Sequence, residues 1–146
     1  MKKIGIIGAG ISGLFIANLF KKNSNYQISI YEKNNSINLD EGYGIQLSVN
    51  SVKLLNKIGF YKFKDEKKFN PDKINFYSIK STKKICDLDI SYFNSKDCKY
   101  TTLKRSDLIN FLNKDVKDLI KHSHSISQIE HENHKIKLTF ENRENS

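Results

Sequence analysis

The sequence predicts an α/β fold in which one helix connects two parallel strands, and the order of three segments supports this prediction. Residues 2–7 form a short apolar run that leads into a glycine-rich turn. Residues 12–22 then carry the apolar face that is typical of a helix, and residues 27–32 (QISIYE) follow as a second strand. A strand, a helix and a strand in this order form a unit whose strands lie parallel. We expect the first strand to be buried, because it holds three isoleucines and little polarity.

The rest of the chain predicts shorter elements. Residues 34–44 read as a polar loop, and residues 48–58 as a helix that Asn50 or Ser51 caps and Gly59 ends. Further along, apolar periodicity predicts a hairpin of residues 73–80 and 83–90 and an amphipathic helix over residues 105–120. It also predicts a final pair of strands at residues 125–130 and 134–141.

Composition limits the possible functions. The 146 residues suit one domain, and the formal net charge of +9 invites comparison with nucleic-acid-binding proteins. However, only two of the 25 basic residues are Arg, and the lysines are scattered, so no nucleic-acid partner is expected. Two cysteines without a CxxC pair indicate reduced thiols and a cytoplasmic location. No apolar run reaches the roughly 18 residues of a membrane span, and four histidines between 122 and 134 do not form a tetrahedral metal-ligand set.

The glycine turn has the spacing of a dinucleotide-binding motif. Gly8 permits the tight turn out of the strand, and Gly10 lets a pyrophosphate approach the backbone. Gly13 lets the helix pack close to the strand, and the start of that helix offers free N–H groups to phosphates. The sequence therefore predicts a Rossmann-like nucleotide site at the end of the first strand.

Glu32 strengthens this prediction. It ends the predicted second strand, 19 residues after Gly13, where a carboxylate can accept hydrogen bonds from a ribose hydroxyl pair. The same charge would repel a 2′-phosphate, so NADP is not expected here. The motif alone leaves NAD and FAD open, since both bind in this way.

Two later stretches resemble segments of the FAD-dependent aromatic hydroxylases, the group that includes salicylate hydroxylase and p-hydroxybenzoate hydroxylase. Residues 41–60 (EGYGIQLSVNSVKLLNKIGF) resemble the family segment after the ribose-binding acid. Residues 101–112 (TTLKRSDLINFL) resemble the next one, an Arg followed by x-x-Leu at a helix start. The resemblance implies a Rossmann-like FAD-binding domain with a parallel sheet. It also implies a β-hairpin excursion, at about residues 70–103, toward a substrate domain.

The resemblance also implies a set of FAD-binding residues, and it names no catalytic base within the chain. The pyrophosphate would be held by Gly8, Ala9, Gly10, Ser12 and Gly13, and the adenosine ribose by Glu32 with Lys33 beside it. The flavin side would be served by Gln46, the phosphate–ribityl region by Arg105 and the adenine by Ile126.

The implied function is the FAD-binding portion of a flavin-dependent monooxygenase that hydroxylates a small aromatic substrate with NAD(P)H and O₂. The sequence ends at TFENRENS, before the family's Asp-Gly and Gly-Asp motifs. We therefore expect residues 1–146 to be the N-terminal part of such an enzyme and to be inactive alone, with a separate chain as one source of the missing half. The alternatives are a non-catalytic dinucleotide-binding module and another FAD-dependent oxidoreductase.

Overall fold

The computed structural model describes residues 1–39, 42–133 and 135–141. Its chain divides into two compact units: unit 1 is Met1–Leu39 with Leu112–Ser146, and unit 2 is Asp40–Phe111. The predicted excursion at residues 70–103 falls within unit 2, and its assignment to a substrate domain stays a prediction.

Within the described ranges the chain forms three α-helices and ten strands. In chain order they are β1 (Lys2–Ile7), α1 (Ile11–Lys21), β2 (Tyr26–Tyr31), β3 (Gly44–Leu47), α2 (Val49–Asn56), β4 (Lys68–Phe69), β5 (Lys73–Tyr77), β6 (Lys84–Asp89), β7 (Thr101–Lys104), α3 (Arg105–Asn113), β8 (Ile120–Lys121), β9 (Ile126–Glu132) and β10 (Lys135–Phe140).

A parallel three-stranded sheet forms the centre of unit 1. Its strand order is β1-β2-β8, and β1 pairs in parallel with β2 from Lys2 opposite Tyr26 to Ile7 opposite Tyr31. Helix α1 makes the connection between these two strands, and Ile30 of β2 is fully buried. The predicted α/β class and the parallel strand–helix–strand unit are therefore confirmed.

The first strand is less buried than predicted. Only one neighbouring strand pairs with β1 among the described residues, so β1 lies at a sheet edge. Ile7 is 57% exposed, and Ile4 and Ile6 are half-buried. The expectation of a buried strand was wrong because, among the described residues, β1 has a paired strand on one side alone, which leaves its side chains partly open.

The predicted helix 105–120 is also too long. Helix α3 ends at Asn113, and residues 120–121 form strand β8, parallel to β2. The side-chain amide of Asn18 donates to the Leu112 carbonyl at 2.7 Å, and the Val116 N–H donates to the Asn113 carbonyl instead. The helical bond from Val116 to Leu112 is thus replaced. Val116 is nevertheless buried, which is why the four-residue apolar spacing imitated a longer helix.

Unit 2 contains an antiparallel sheet of order β3-β7-β4. Helix α2 follows β3, and its cap is Ser48, whose side chain accepts the Ser51 N–H. The predicted caps, Asn50 and Ser51, were wrong because the helix begins one residue before Asn50. Gly59 has a φ of +94° three residues beyond the last helical residue, so it shapes the turn after α2.

The predicted hairpin of β5 and β6 is confirmed as an antiparallel pair. Every residue of β6 is exposed, including Cys86. Lys84 and Asp87 form a 2.6 Å ion pair on its surface. Their hydrogen bond raises the pKa of Lys84 and lowers the pKa of Asp87.

The last two strands complete unit 1. Strands β9 and β10 pair antiparallel, as predicted, and His134 of the predicted strand pair lies outside the described residues. The Phe140 ring lies 5.1 Å from the Tyr31 ring of β2. In the part of the chain described, no helix has the length and apolar character needed to cross a bilayer. Among the same residues no three His, Cys, Asp or Glu side chains come together as metal ligands do.

Candidate functional site

The candidate site is the turn between β1 and α1 in unit 1. Gly8 leaves the strand with a φ of +89°, a left-handed conformation that side chains disfavour. Its N–H donates to the Tyr31 carbonyl at 2.8 Å, so the turn is attached to the end of β2. The chain therefore reverses direction at the carboxyl edge of the parallel sheet, where ligands of open α/β sheets bind.

Gly13 lies in the first turn of α1, directly against this reversal. A Cβ atom built at Gly13 would lie 2.0 Å from the Gly8 carbonyl oxygen and 3.3 Å from the Ile6 side chain. The nearer atom is backbone, which cannot rotate away as a side chain can. Only a hydrogen fits at this position, so α1 approaches β1 as closely as the motif predicts.

Gly10 has the opposite environment. Apart from its chain neighbours, no described heavy atom lies within 4 Å of a Cβ built there. Its φ of −77° and ψ of −177° are open to any residue. Among the described residues, neither packing nor backbone strain requires a glycine here, and the open space would admit a ligand.

The start of α1 is open to an anion. Gly10 is the N-cap of the helix, and within the described chain no side chain caps it. The first N–H groups of a helix have no intrahelical partner, and the helix dipole is positive there. Ser12, the second helical residue, is exposed at the same end. This end of α1, with open space above Gly10, fits a phosphate or pyrophosphate.

Glu32 is joined to the glycine turn by its carboxylate. One oxygen accepts the Ala9 N–H at 2.8 Å, and the other accepts the Asn34 N–H at 3.0 Å. A carboxylate offers about four acceptor positions, so roughly two remain. Glu32 can thus hold the turn and still accept hydrogen bonds from a pair of sugar hydroxyls.

The backbone of Glu32 is held from the other side by the segment after β8. The Glu32 N–H donates to the Lys121 carbonyl at 2.9 Å, and the His124 N–H donates to the Glu32 carbonyl at 2.8 Å. Sequence reasoning missed both partners because it placed residue 120 at the end of a helix. The Ile-Lys pair after the apolar stripe was the available signal, and it is too short to identify a strand.

The other predicted residues of unit 1 lie at its periphery. Ala9 is buried beneath the turn, while Lys33 is exposed immediately after Glu32. Ile126 begins β9, opposite Phe140. The predicted contact of Ile126 with the adenine stays a prediction.

Gln46 and Arg105 belong to unit 2, on neighbouring elements. Gln46 of β3 lies opposite Thr102 of β7, and Arg105 is the first residue of α3, directly after β7. The Tyr100 hydroxyl donates to the Gln46 Oε1 at 2.9 Å, a contact that no sequence pattern indicated. Thus unit 1 brings the glycine turn and Glu32 together, and the roles of Gln46 and Arg105 beside a cofactor stay predictions.

Unit 2 also has an open cleft of about 690 Å³ beside the start of α3. Its lining is mixed, with aromatic, basic and acidic side chains that include Tyr43, Phe69, Lys104 and Asp107. The volume suits a small molecule. Gln46 and Arg105 are not among the lining residues, but Lys104 and Ser106, the two neighbours of Arg105 in the sequence, are.

A comparison with protein families supports the nucleotide site. The model of the NAD(P)-binding Rossmann-like domain matches residues 6–39, which contain the glycine turn and Glu32. A comparison with curated proteins gives no significant match.

Solved structures share the fold. An HpxO variant from Klebsiella pneumoniae, complexed with FAD, is 18% identical with a TM-score of 0.79, covering 96% of this chain and 36% of that one. HpxO complexed with FAD and uric acid is 19% identical with a TM-score of 0.75, covering 94% and 35%. The 2,6-dihydroxypyridine-3-hydroxylase from Arthrobacter nicotinovorans is 14% identical with a TM-score of 0.73, covering 94% and 33%.

These likenesses confirm the predicted resemblance to FAD-dependent hydroxylases at the level of the fold. The chain spans about a third of the length of these solved structures.

The two glycines give a prediction about stability. Gly13→Ala should lower the free energy of unfolding by at least about 2 kcal/mol, because its methyl group meets a backbone carbonyl that cannot move alone. Gly10→Ala should stay within about 1 kcal/mol of wild type, since its small capping loss is offset by reduced freedom in the unfolded chain. Urea unfolding followed by circular dichroism measures both, and equal losses for the two variants would contradict the packing role of Gly13.

Proposed function

We propose that this chain binds FAD through the glycine turn and Glu32, as the FAD-binding portion of a flavin-dependent monooxygenase. The strongest support for this proposal is the environment of Gly10. It leaves open space over the start of α1, and neither its backbone angles nor its packing requires a glycine. Glu32 is held beside this space by the Ala9 N–H.

The residues of unit 1 would act on the cofactor by binding and orienting it. The amides at the start of α1 would donate to the pyrophosphate, whose charge the helix dipole favours. The free acceptor positions of Glu32 would take the two hydroxyls of the adenosine ribose. Because its carboxylate is fixed at both oxygens, Glu32 would also keep a 2′-phosphate out by charge repulsion.

Two residues of unit 2 would serve the flavin side. Since Tyr100 occupies the Gln46 carbonyl, Gln46 would present its N–H₂ group as a donor. Arg105 would hold a phosphate or ribityl oxygen with its planar guanidinium, for which a lysine is a poor substitute. When bound and reduced by NAD(P)H, FAD supplies the chemistry that activates O₂, and this chain would supply binding and orientation.

Hydroxylation of a small aromatic substrate is the finer part of the proposal. The chain spans about a third of the length of the solved structures that it resembles, so such an activity would need the rest of the fold, and a separate chain is one source. HpxO was solved with uric acid, which favours a small ring as the kind of substrate. The predicted cytoplasmic location stays a prediction.

A dinucleotide-binding module without flavin chemistry is the second candidate. The family model that matches residues 6–39 describes an NAD(P)-binding domain, and this favours the second candidate. Binding of NAD in preference to FAD would distinguish the two.

The proposal is tested by titrating the purified chain with FAD, FMN, NAD⁺ and NADP⁺ by calorimetry. FAD should bind, though weakly. FMN should bind at least about tenfold less well, because it lacks the adenosine ribose and one phosphate, and each hydrogen bond to a charged group contributes about 1.5–3 kcal/mol. NAD⁺ binding more tightly than FAD would favour the second candidate, and equal affinities for FAD and FMN would contradict the site.

Glu32→Gln should weaken FAD binding about tenfold, because one charged hydrogen bond to the ribose contributes about 1.5–3 kcal/mol. Glu130→Gln is the matched control, since Glu130 is also in unit 1 but pairs with Lys137 on the surface at 3.3 Å. The same calorimetric titration measures both. An unchanged affinity in Glu32→Gln, or an equal loss in Glu130→Gln, would show that the carboxylate does not contact the ribose.

A further inference from the structure

Gly42, in the segment 41–60, has a contact that the resemblance to the hydroxylases does not explain. It lies shortly before β3, with a φ of +77°. A Cβ atom built there would lie 3.2 Å from the Cδ of Arg105, closer than ordinary side-chain contacts. The aliphatic stem of Arg105 therefore crosses the bare backbone of Gly42.

The backbone on both sides of this contact is joined. The Arg105 N–H donates to the Tyr43 carbonyl at 3.3 Å, next to the pairing of Gly44 with Lys104 between β3 and β7. Tyr43 and Gly44, the two residues after Gly42, are thus joined to the start of α3 and the end of β7. Because the two main chains cannot separate freely, a side chain at position 42 would displace the stem of Arg105 instead.

We propose that Gly42 is a positioning residue for Arg105: its missing side chain leaves the surface that aims the guanidinium. This inference rests on the proposed function, in which Arg105 holds a phosphate–ribityl oxygen of FAD. An arginine has four rotatable side-chain bonds, and ordering such a side chain opposes binding. An Arg105 side chain whose aliphatic stem already packs on Gly42 loses fewer conformations when the ligand binds.

The chain contains a matched control for this role. Gly59 also lies in unit 2 and has a φ of +94°, so an alanine at either position meets the same kind of backbone strain. A Cβ atom at Gly59 has no described heavy atom within 4 Å beyond its chain neighbours. Gly42→Ala and Gly59→Ala therefore share the backbone effect, and only the first touches Arg105.

The first measurement needs no cofactor. The sequence contains two arginines, Arg105 and Arg143, so the side-chain Nε–H region of an NMR spectrum should hold two signals. Arg105→Lys identifies which signal belongs to Arg105. That signal should shift or broaden in Gly42→Ala and stay in place in Gly59→Ala, because only the added methyl at position 42 reaches the arginine stem.

The second measurement is FAD affinity. Gly42→Ala should weaken binding about fivefold, the order of the cost of fixing one side chain with many rotamers. Gly59→Ala should stay within about twofold of wild type. Because Gly42 acts through Arg105, the loss of FAD affinity caused by Gly42→Ala should disappear when it is measured in proteins that already carry Arg105→Ala.

An Arg105 signal that does not respond to Gly42→Ala, or that responds equally to Gly59→Ala, would overturn the inference. So would a loss of affinity that persists in the Arg105→Ala background. If wild type does not bind FAD, the proposed function fails, and the NMR comparison still decides whether Gly42 positions Arg105. If either alanine variant does not fold, asparagine at both positions repeats the comparison, since asparagine tolerates a positive φ better.

Discussion

The structure of unit 1 depends on how closely α1 approaches the end of β1. The distance is set at Gly13, where a Cβ atom would lie 2.0 Å from the Gly8 carbonyl oxygen. This closeness brings the start of α1, whose first amides have no intrahelical partner, to the carboxyl edge of the sheet. The same contact that packs the helix against the strand therefore places the positive end of the helix dipole at this edge. Two glycines three residues apart differ in this respect, since Gly13 leaves no room for a methyl group, whereas Gly10 has open space beside it among the described residues.

Glu32 connects this turn to the rest of the sheet. Its carboxylate accepts the Ala9 and Asn34 N–H groups, while its own backbone is hydrogen bonded to Lys121 and His124. A flexible acid at the end of a strand would have to be ordered by its ligand, and that ordering would weaken binding. Here the protein has already ordered it, with acceptor positions to spare.

Unit 2 has two comparable arrangements, because Tyr100 fixes the Gln46 amide and the stem of Arg105 lies on Gly42.

Local patterns predicted the parts of this fold that local interactions determine. The turn at Gly8, the helix after it, the parallel second strand and the hairpin of β5 and β6 all follow from residue types at short spacing.

The end of α3 could not be predicted in this way, because Asn18, 94 residues away, takes the carbonyl that would continue the helix. For the same reason β8, and the hold it has on Glu32, were missed. The pairing of Tyr100 with Gln46 spans 54 residues and leaves no trace in local periodicity. Sequence patterns supplied the residues that we propose contact FAD, and they did not indicate the residues that hold these in place.

If the proposed function is correct, FAD lies with its diphosphate on the amides at the start of α1. The most direct measurement is the backbone amide NMR spectrum of the chain, recorded as FAD is added. The largest signal changes should fall on the amides from Gly10 to Leu14 and around Glu32, whereas the signals of Gly59 and of the exposed hairpin strands should stay unchanged. Saturable FAD binding that leaves the Gly10–Leu14 amides unmoved would contradict it.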